Sequence, residues 1–404
     1  MNAEAMTRDL KEYAREQGAD LVGVGSMDRF EGAPADADPR AIMPEARAIV
    51  GLGFRIHRGL LRGIEEGTHF GAYPSLGYAN INNEHAPIVL RQTGSFLEDL
   101  GYEAFLFSNP MGRYGTGAGR PVGPGKPKPD VFLHFRIAAF ICGLGEIGWS
   151  KVFLTPEFGP RQRFAFIVTD APLAPDPLYD GPPLCDRCKR CVAECPVGAI
   201  PKDASVKVAV AGRELEWGRL DLQRCGLGWQ AARPDLNPFA NREVAAYMAE
   251  VLDDSRPVEE RDRDVWEPMK KLKEIFGYTR SGWEYFKHPG CICGGRGCLR
   301  GCMIHLEEQN KLRNAFHRPF RRRAPWRLPP SAELQTAYAT AYRRNRGRTM
   351  RLAPATPPVE LAFRSPRTDA GLDDPARKRC GCGLECEVMP GAALRCPHCR
   401  ASLT

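Results

Sequence analysis

The chain holds 404 residues, with 57 Lys+Arg against 49 Asp+Glu for a net charge of +8. A 43% hydrophobic and 26% charged content is that of a globular protein and excludes global disorder. No apolar run is long enough to span a bilayer as a helix, and the length suggests roughly two or three domains.

The first 25 residues read as structure rather than as a targeting segment. Met6, Leu10, Tyr13 and Ala14 recur at helical spacing, with charges between them. Ala19 to Gly25 (ADLVGVG) then reads as a buried strand. A chain without an export signal is expected to be cytoplasmic, where structural disulfides are rare. Its 15 cysteines therefore point to metal or cluster ligation.

Residues 109–130 follow an apolar segment, and half of these 22 residues are Gly or Pro. Such a stretch inside a domain is either a binding loop or irregular chain. GLGEIG at 143–148 matches Gly-x-Gly-x-x-Gly. No helix opening follows it, so a dinucleotide fold is not expected. Gly143, Gly145 and Gly148 read as a tight turn with close backbone approach or, equally, as a helix C-cap.

CDRCKRCVAECP at 185–196 is the strongest chemical signal. Cys-x2-Cys-x2-Cys-x3-Cys-Pro lets three thiolates wrap one iron–sulfur cube while the fourth faces another. A zinc site with four thiolates normally uses two separated pairs instead. VKVAVAGRELEW at 206–217 then reads as a hairpin that delivers the chain to Cys225. CICGGRGCLRGC supplies Cys291, Cys293, Cys298 and Cys302. The simplest assignment gives one cube Cys185, Cys188, Cys191 and Cys302. The other takes Cys195, Cys225, Cys293 and Cys298, with Cys291 as the alternative to Cys293.

Residues 311–351 carry Lys311 and eleven arginines against a single acid, Glu333. They form either a phosphate-binding stripe or, the favoured reading, an arm over the globular part. Phe316, Phe320, Trp326, Tyr338 and Tyr342 would anchor that arm. Residues 352–379 read as a Pro-rich linker. CGCGLECEVMPGAALRCPHC at 380–399 resembles a zinc ribbon, in which Cys380, Cys382, Cys396 and Cys399 would close a structural tetrahedral site. Cys142, Cys291 and Cys386 are then spare.

FRIAAFICGLGEIGWSKVFLTPEFGPRQRFAFIVTDAPL at 135–173, running into the cluster motif, resembles the corresponding stretch of corrinoid-dependent reductive dehalogenases and of epoxyqueuosine reductase. KEYAREQGADLVGVG and WGRLDLQRC are similar to further pieces of epoxyqueuosine reductase, in the same order. The resemblance implies an α/β, nitroreductase-like sandwich core over residues 1–175 that holds a corrinoid (cobalamin, base-off). It also implies a bacterial ferredoxin-like domain with two [4Fe–4S] clusters over 176–310. The Arg-rich arm (311–351), the linker (352–379) and the zinc ribbon (380–404) follow. The glycines at 143, 145 and 148 would then approach the corrinoid.

The implied activity is a corrinoid-dependent reductase of a small-molecule substrate, supplied by an electron donor such as ferredoxin or flavodoxin. The sequence also departs from the family. The Asp-Ser-Gly-Pro proton-donor motif of epoxyqueuosine reductase is missing, and Asp130 is the nearest aspartate. Dehalogenases use a tyrosine beside a basic residue; Tyr114 with Arg113 or Arg120 fits that pattern, as do Tyr73 and Tyr78. Two alternatives stand beside the enzyme: an electron-transfer or adaptor protein without corrinoid, and a reductase directed at tRNA through the arginine arm.

Overall fold

A seven-residue apolar run, AIVGLGF, forms most of the central strand of the structure. The computed structural model of the protein describes residues 2–109, 119–231, 233–240, 242–263, 265–275, 293, 295–321 and 324–328. It also describes the backbone of 376–379, 385–388, 394–395 and 402–403. Residues 1–334 form one unit and 335–404 a second.

The first unit opens with helix α1 (Ala3–Glu16), whose N–H groups are capped by Asn2. Strands β1 (Leu21–Ser26) and β2 (Ala48–Arg55) follow. Helix α2 (Arg62–Glu66), the single turn α3 (Ala72–Pro74) and two π-helical runs, Ser75–Ala79 and Ile81–His85, lead into α4 (Ala86–Asp99). Then come β3 (Ala104–Phe107), α5 (Phe135–Ile141), the short β4 (Glu146–Ile147) and β5 (Phe153–Leu154), and β6 (Gln162–Thr169). The sheet has the order β1-β2-β6-β3, and each of its pairings is antiparallel.

Side chains alternate across a strand, and here both faces are covered. Ala48, Val50, Leu52 and Phe54 of β2 join Ala165 and Ile167 of β6 in a core with α1 and α4. Ile49, Phe164, Phe166 and Val168 face the other way, onto α5. That explains why β2 is apolar without alternation. The fold is therefore a mixed α/β sandwich of helix, sheet and helix.

Glycines let α5 lie directly on the strands. A Cβ at Gly23 would come 2.3 Å from the Cys142 carbonyl, and one at Gly25 would come 2.6 Å from Ile141. Alanine at either position would push the helix off the sheet.

After β6 the chain forms the single turn α6 (Arg190–Ala193) and the hairpin β7 (Ser205–Val210) and β8 (Arg213–Gly218). Ala211 and Gly212 both take positive φ, as a tight two-residue hairpin turn requires. Helices α7 (Leu222–Ala231), α8 (Arg242–Asp253), α9 (Val258–Arg261) and α10 (Trp266–Ile275) follow, and α11 (Cys298–Glu308) ends the helical part. Leu227, Val244, Tyr247, Met248 and Leu272 form a small core of their own beside Cys195 and Cys225. Among the described residues no helix is long and apolar enough to cross a membrane.

In the second unit β9 (Ala376–Arg379) pairs with β10 (Glu385–Val388), and β11 (Leu394–Arg395) pairs with β12 (Ser402–Leu403). Cys380, Cys382, Cys396 and Cys399, which the zinc reading needs, lie outside the described residues.

Candidate metal centres

The cysteine loop is built by local backbone constraints. The Cys185 amide donates to Glu146 Oε1 at 2.5 Å, and its Sγ accepts from the Trp149 amide at 3.3 Å. Arg187 and Lys189, on either side of Cys188, both hold a left-handed φ near 60°. This turns the chain twice within three residues, so that thiols spaced two apart face one point. Asp186 pins the loop to α11 through His305 Nε2 at 2.7 Å and also accepts from the Cys188 amide at 3.2 Å. Burial alone would raise the Asp186 carboxyl, but the His305 contact outweighs it and holds it at about 2.

Cys191 is buried on α6. Cys195 follows it, and its Sγ accepts from the Ala199 amide at 3.2 Å. Cys225 lies in the first turns of α7, while Cys298 and Cys302 lie one turn apart on α11.

The sulfurs fall into two groups. Cys302, though more than 100 residues away in sequence, is coupled electrostatically to Cys185, Cys191 and Cys188 ahead of Cys298. Cys298 instead has Cys225 and Cys195 first, then Cys191. Cys293 is buried, and its Sγ lies near Gly297 alongside Pro196 and the Glu194 carbonyl, on the Cys195 side. Cys291, its alternative, lies outside the described residues. Cys142 is buried elsewhere, against the Ile49 carbonyl at 3.5 Å.

Burial, followed by the neighbouring sulfurs, pushes the Cys191 and Cys225 thiols up to about 11 and raises Cys298 and Cys302 as well. Buried thiols that oppose one another's ionisation suit a bound polycation, which would hold them all as thiolates. The donor set of each group therefore fits an iron–sulfur cube.

A buried ion-pair network includes residues next to the cysteines in sequence. Arg300, fully buried between Cys298 and Cys302 in sequence, pairs with Glu65 of α2 and with Glu194 at 2.5 Å. Arg321 reaches the same two acids, at 2.9 Å to Glu194 and 3.4 Å to Glu65. Burial raises the Glu194 carboxyl, yet Arg300 and Arg321 more than offset this and leave it below its ordinary value. Sequence reading singled out none of Arg300, Glu65 and Glu194, and placed Arg321 only in the arginine arm. The signal available was an arginine inside Cys-Leu-Arg-Gly-Cys and a glutamate inside Ala-Glu-Cys-Pro.

Within the first unit, residues 311–321 and 324–328 pack as an anchored strap. Phe320 is buried, with the Arg62 guanidinium 4.1 Å above its ring, and Arg58 stacks on Phe316 at 3.6 Å. Trp326 Nε1 donates to the Ile64 carbonyl at 2.8 Å. Tyr338 and Tyr342 lie outside the described residues.

Of the two glycine readings, the helix C-cap is seen at Gly143. Gly143 and Leu144 close the end of α5, their amides donating to the Phe140 and Ala139 carbonyls at 2.9 and 3.1 Å, which is a Schellman C-cap. A Cβ at Gly143 would come 2.2 Å from the Pro177 carbonyl, and one at Gly145 would come 2.0 Å from the Leu154 carbonyl. At Gly148 the Leu154 side chain is nearest, at 3.1 Å. The need for glycine thus comes from the chain's own atoms.

Of the acid candidates, Tyr114 lies outside the described residues, together with Arg113. Asp130 is exposed at the rim of an open cavity of about 400 Å³, with Asp36, Lys126 and Lys128. Tyr73 is buried in the core of the sheet. Tyr78, on the first π-helical run, is half-buried. Its ring lies 3.9 Å from the Arg163 guanidinium and 5.3 Å from Trp229 of α7, one turn beyond Cys225.

No family model matches the chain. It is 31% identical to the tetrachloroethene reductive dehalogenase of Desulfitobacterium hafniense over 144 residues, 33% of this chain and 24% of that one. It is 22% identical to the epoxyqueuosine reductase of Bacillus subtilis over 247 residues, 56% of this chain and 55% of that one. The chain thus matches about a quarter of the length of that dehalogenase and about half that of the epoxyqueuosine reductase. A solved catabolic reductive dehalogenase aligns with a TM-score of 0.43 at 16% identity, over 72% of this chain and 38% of the other. In sequence the chain is similar to both the reductive dehalogenases and the epoxyqueuosine reductases, and these relatives are reductases.

Proposed function

We propose that the chain is an oxidoreductase with two [4Fe–4S] clusters, of the type that passes electrons to a corrinoid and reduces a small molecule. Cys185, Cys188, Cys191 and Cys302 would hold one cluster, and Cys195, Cys225, Cys293 and Cys298 the other. The observation that carries this reading is the partition on α11: Cys302 joins the first three motif cysteines, while Cys298 joins Cys195 and Cys225.

Bound clusters supply one-electron transfer at low potential, set partly by hydrogen bonds to sulfur and by solvent access. The protein contributes both. The Trp149 and Ala199 amides donate to Cys185 and Cys195 sulfurs. Trp149, Ile200 and Leu220 pack around the thiols and exclude water from them. Cys188 alone of the two sets is exposed, so the first set is where an electron-donor protein such as a ferredoxin would reach the surface. Tyr78 is our candidate acid: its Oη carries a proton that a reductive step needs, and the Arg163 guanidinium lies over its ring. The support for a corrinoid is the relatives, not any contact in this chain. The second unit would be a zinc ribbon held by Cys380, Cys382, Cys396 and Cys399.

The test is anaerobic purification or reconstitution, with iron counted and cobalamin titrated. On the order of eight iron atoms per chain, with a cob(II)alamin spectrum on adding cobalamin, is expected. Full iron without corrinoid affinity would leave an electron-transfer protein. Absence of iron would remove the reading altogether.

A further inference from the structure

We infer that Asp186, Cys188 and His305 form a site for a single divalent transition-metal ion, Zn²⁺ or Fe²⁺, while Cys188 is not held by a cluster. One donor atom from each residue, a carboxylate oxygen, the sulfur and an imidazole nitrogen, lies within 4.8 Å of the other two. His305 Nε2 and Asp186 Oδ2 are 2.7 Å apart. Zinc bonds of about 2.0–2.3 Å in a tetrahedron put donors roughly 3.3–3.8 Å from one another, so side-chain shifts on the order of 1 Å admit the ion.

The local chain builds this convergence. Arg187, between the first two donors, holds the left-handed φ of 60° that bends the backbone back on itself. The Cys188 amide donates to Asp186 Oδ1 at 3.2 Å and fixes the carboxylate beside the thiol. His305 comes from α11, three residues after Cys302. Asp186 and Cys188 are exposed and His305 is half-buried. A hydrated ion therefore reaches the donors from solution, and a water can fill the fourth position, as in open zinc sites. Among the described residues no other three donors of these kinds come so close together. The remaining cysteine sulfurs are spaced for a larger group, and these three donors for one ion.

Nearby cations decide whether a metal ion can enter. Arg187 pairs with Glu216 at 3.1 Å, and Arg190 with Glu308 at 2.6 Å. Lys311 sits on the site itself, its Nζ 3.4 Å from Asp186 Oδ2 and 3.2 Å from the Pro183 carbonyl. It is the competitor that the ion displaces, and a partly exposed pair of this length is weak. A carboxylate, an imidazole and a thiolate together suit zinc and ferrous iron, and they disfavour Ca²⁺ and Mg²⁺, which take oxygen ligands. The site and the first cluster exclude each other because both need Cys188. That exclusion rests on the function proposed above, whereas the ion site does not.

The test is a titration of the reduced, full-length protein with Zn²⁺ against a chromophoric chelator, run on iron-free and on iron-loaded samples. In the iron-free protein His305→Ala and Asp186→Asn should each weaken one equivalent by about tenfold or more, since even the outer partners of metal ligands are worth about 10–100-fold. Lys311→Met leaves all three donors in place and should tighten the same equivalent by about twofold to fivefold, the worth of an exposed ion pair. In the iron-loaded protein the His305-dependent equivalent should be gone. The proposal is overturned if His305→Ala binds Zn²⁺ like the wild type, if Lys311→Met binds it more weakly, or if the equivalent persists beside a full complement of iron. A chain that binds Zn²⁺ through His305 and never takes up iron keeps this site and loses the function proposed above. A chain that holds both clusters and shows no His305-dependent equivalent does the reverse.

Discussion

Cys298 and Cys302 stand one turn apart on the same helix, yet each belongs to a different group of sulfurs. Cys302 is coupled electrostatically first to Cys185, Cys191 and Cys188, whereas Cys298 is coupled first to Cys225 and Cys195 and then to Cys191. One helical turn therefore bridges the two candidate centres. Cys302→Ala is expected to remove about half of the iron and leave the cluster at Cys195, whereas Cys298→Ala should do the reverse. Iron counting combined with electron paramagnetic resonance of the reduced protein separates the two. Equal loss of all iron in both variants would mean that the sulfurs do not divide in this way.

Arg300→Met should be among the most damaging single changes outside the cysteines. It leaves Arg321 as the remaining ion-pair partner of buried Glu65 and half-buried Glu194 among the described residues. Removing one partner of a buried pair typically costs about 3–5 kcal/mol. Chemical denaturation of the iron-loaded protein measures it. A change below about 1 kcal/mol would show that the network relaxes rather than breaks.

The strap makes its own prediction. Phe320 is buried at 2% exposure, so Phe320→Ala should cost about 3–5 kcal/mol. Phe316, at 41% exposure, should cost much less when truncated. Similar losses at both positions in thermal unfolding would place the strap's hold elsewhere.

His134 sets a pH dependence. Burial, followed by Lys151 and Arg136, lowers its folded value to about 4, against an ordinary 6.5. Above pH 6.5 the ring is neutral in both states and stability is full. As pH falls from 6.5 toward 4 the unfolded chain takes up a proton that the folded one refuses, and stability drops by about 1.4 kcal/mol per unit at most. His134→Asn should flatten that window in urea titrations at several pH values. An unchanged slope would show that His134 is not its source.

Local pattern was legible in the sequence, and tertiary pairing was less so. The opening helix, the first strand and the 205–218 hairpin follow from spacing and turn residues alone, and so does the spacing of Cys185 to Cys195. The sheet order is different in kind: β6 inserts between β2 and β3 because both its faces are apolar, and no local signal encodes its partners. The Gly143–Gly148 motif was ambiguous for a similar reason. A C-cap and a ligand turn demand the same glycines, and only the position of Pro177 and Leu154 distinguishes them. Arg300, Glu65, Glu194 and Arg321 come from four separate segments, and an ion-pair network drawn from distant segments leaves no periodic trace. The arginine arm spans 311–351, and in its described part, 311–321 and 324–328, Phe316, Phe320 and Trp326 pack as aromatics interleaved with arginines do.

Arg187 and Lys189 have a consequence for how the cysteine loop tolerates change. Both adopt the backbone region that glycine favours, and both cover the Trp149 indole, at 5.0 and 2.8 Å from the ring centre. Glycine at either position would relax the main chain by about 1 kcal/mol and bare the indole, losing a cation–π contact of similar size. The two effects oppose each other. Stability measurements alone would call such exchanges silent, while the wall beside Cys185 would open to water. In these two positions a thermodynamically quiet substitution can still be a functional one.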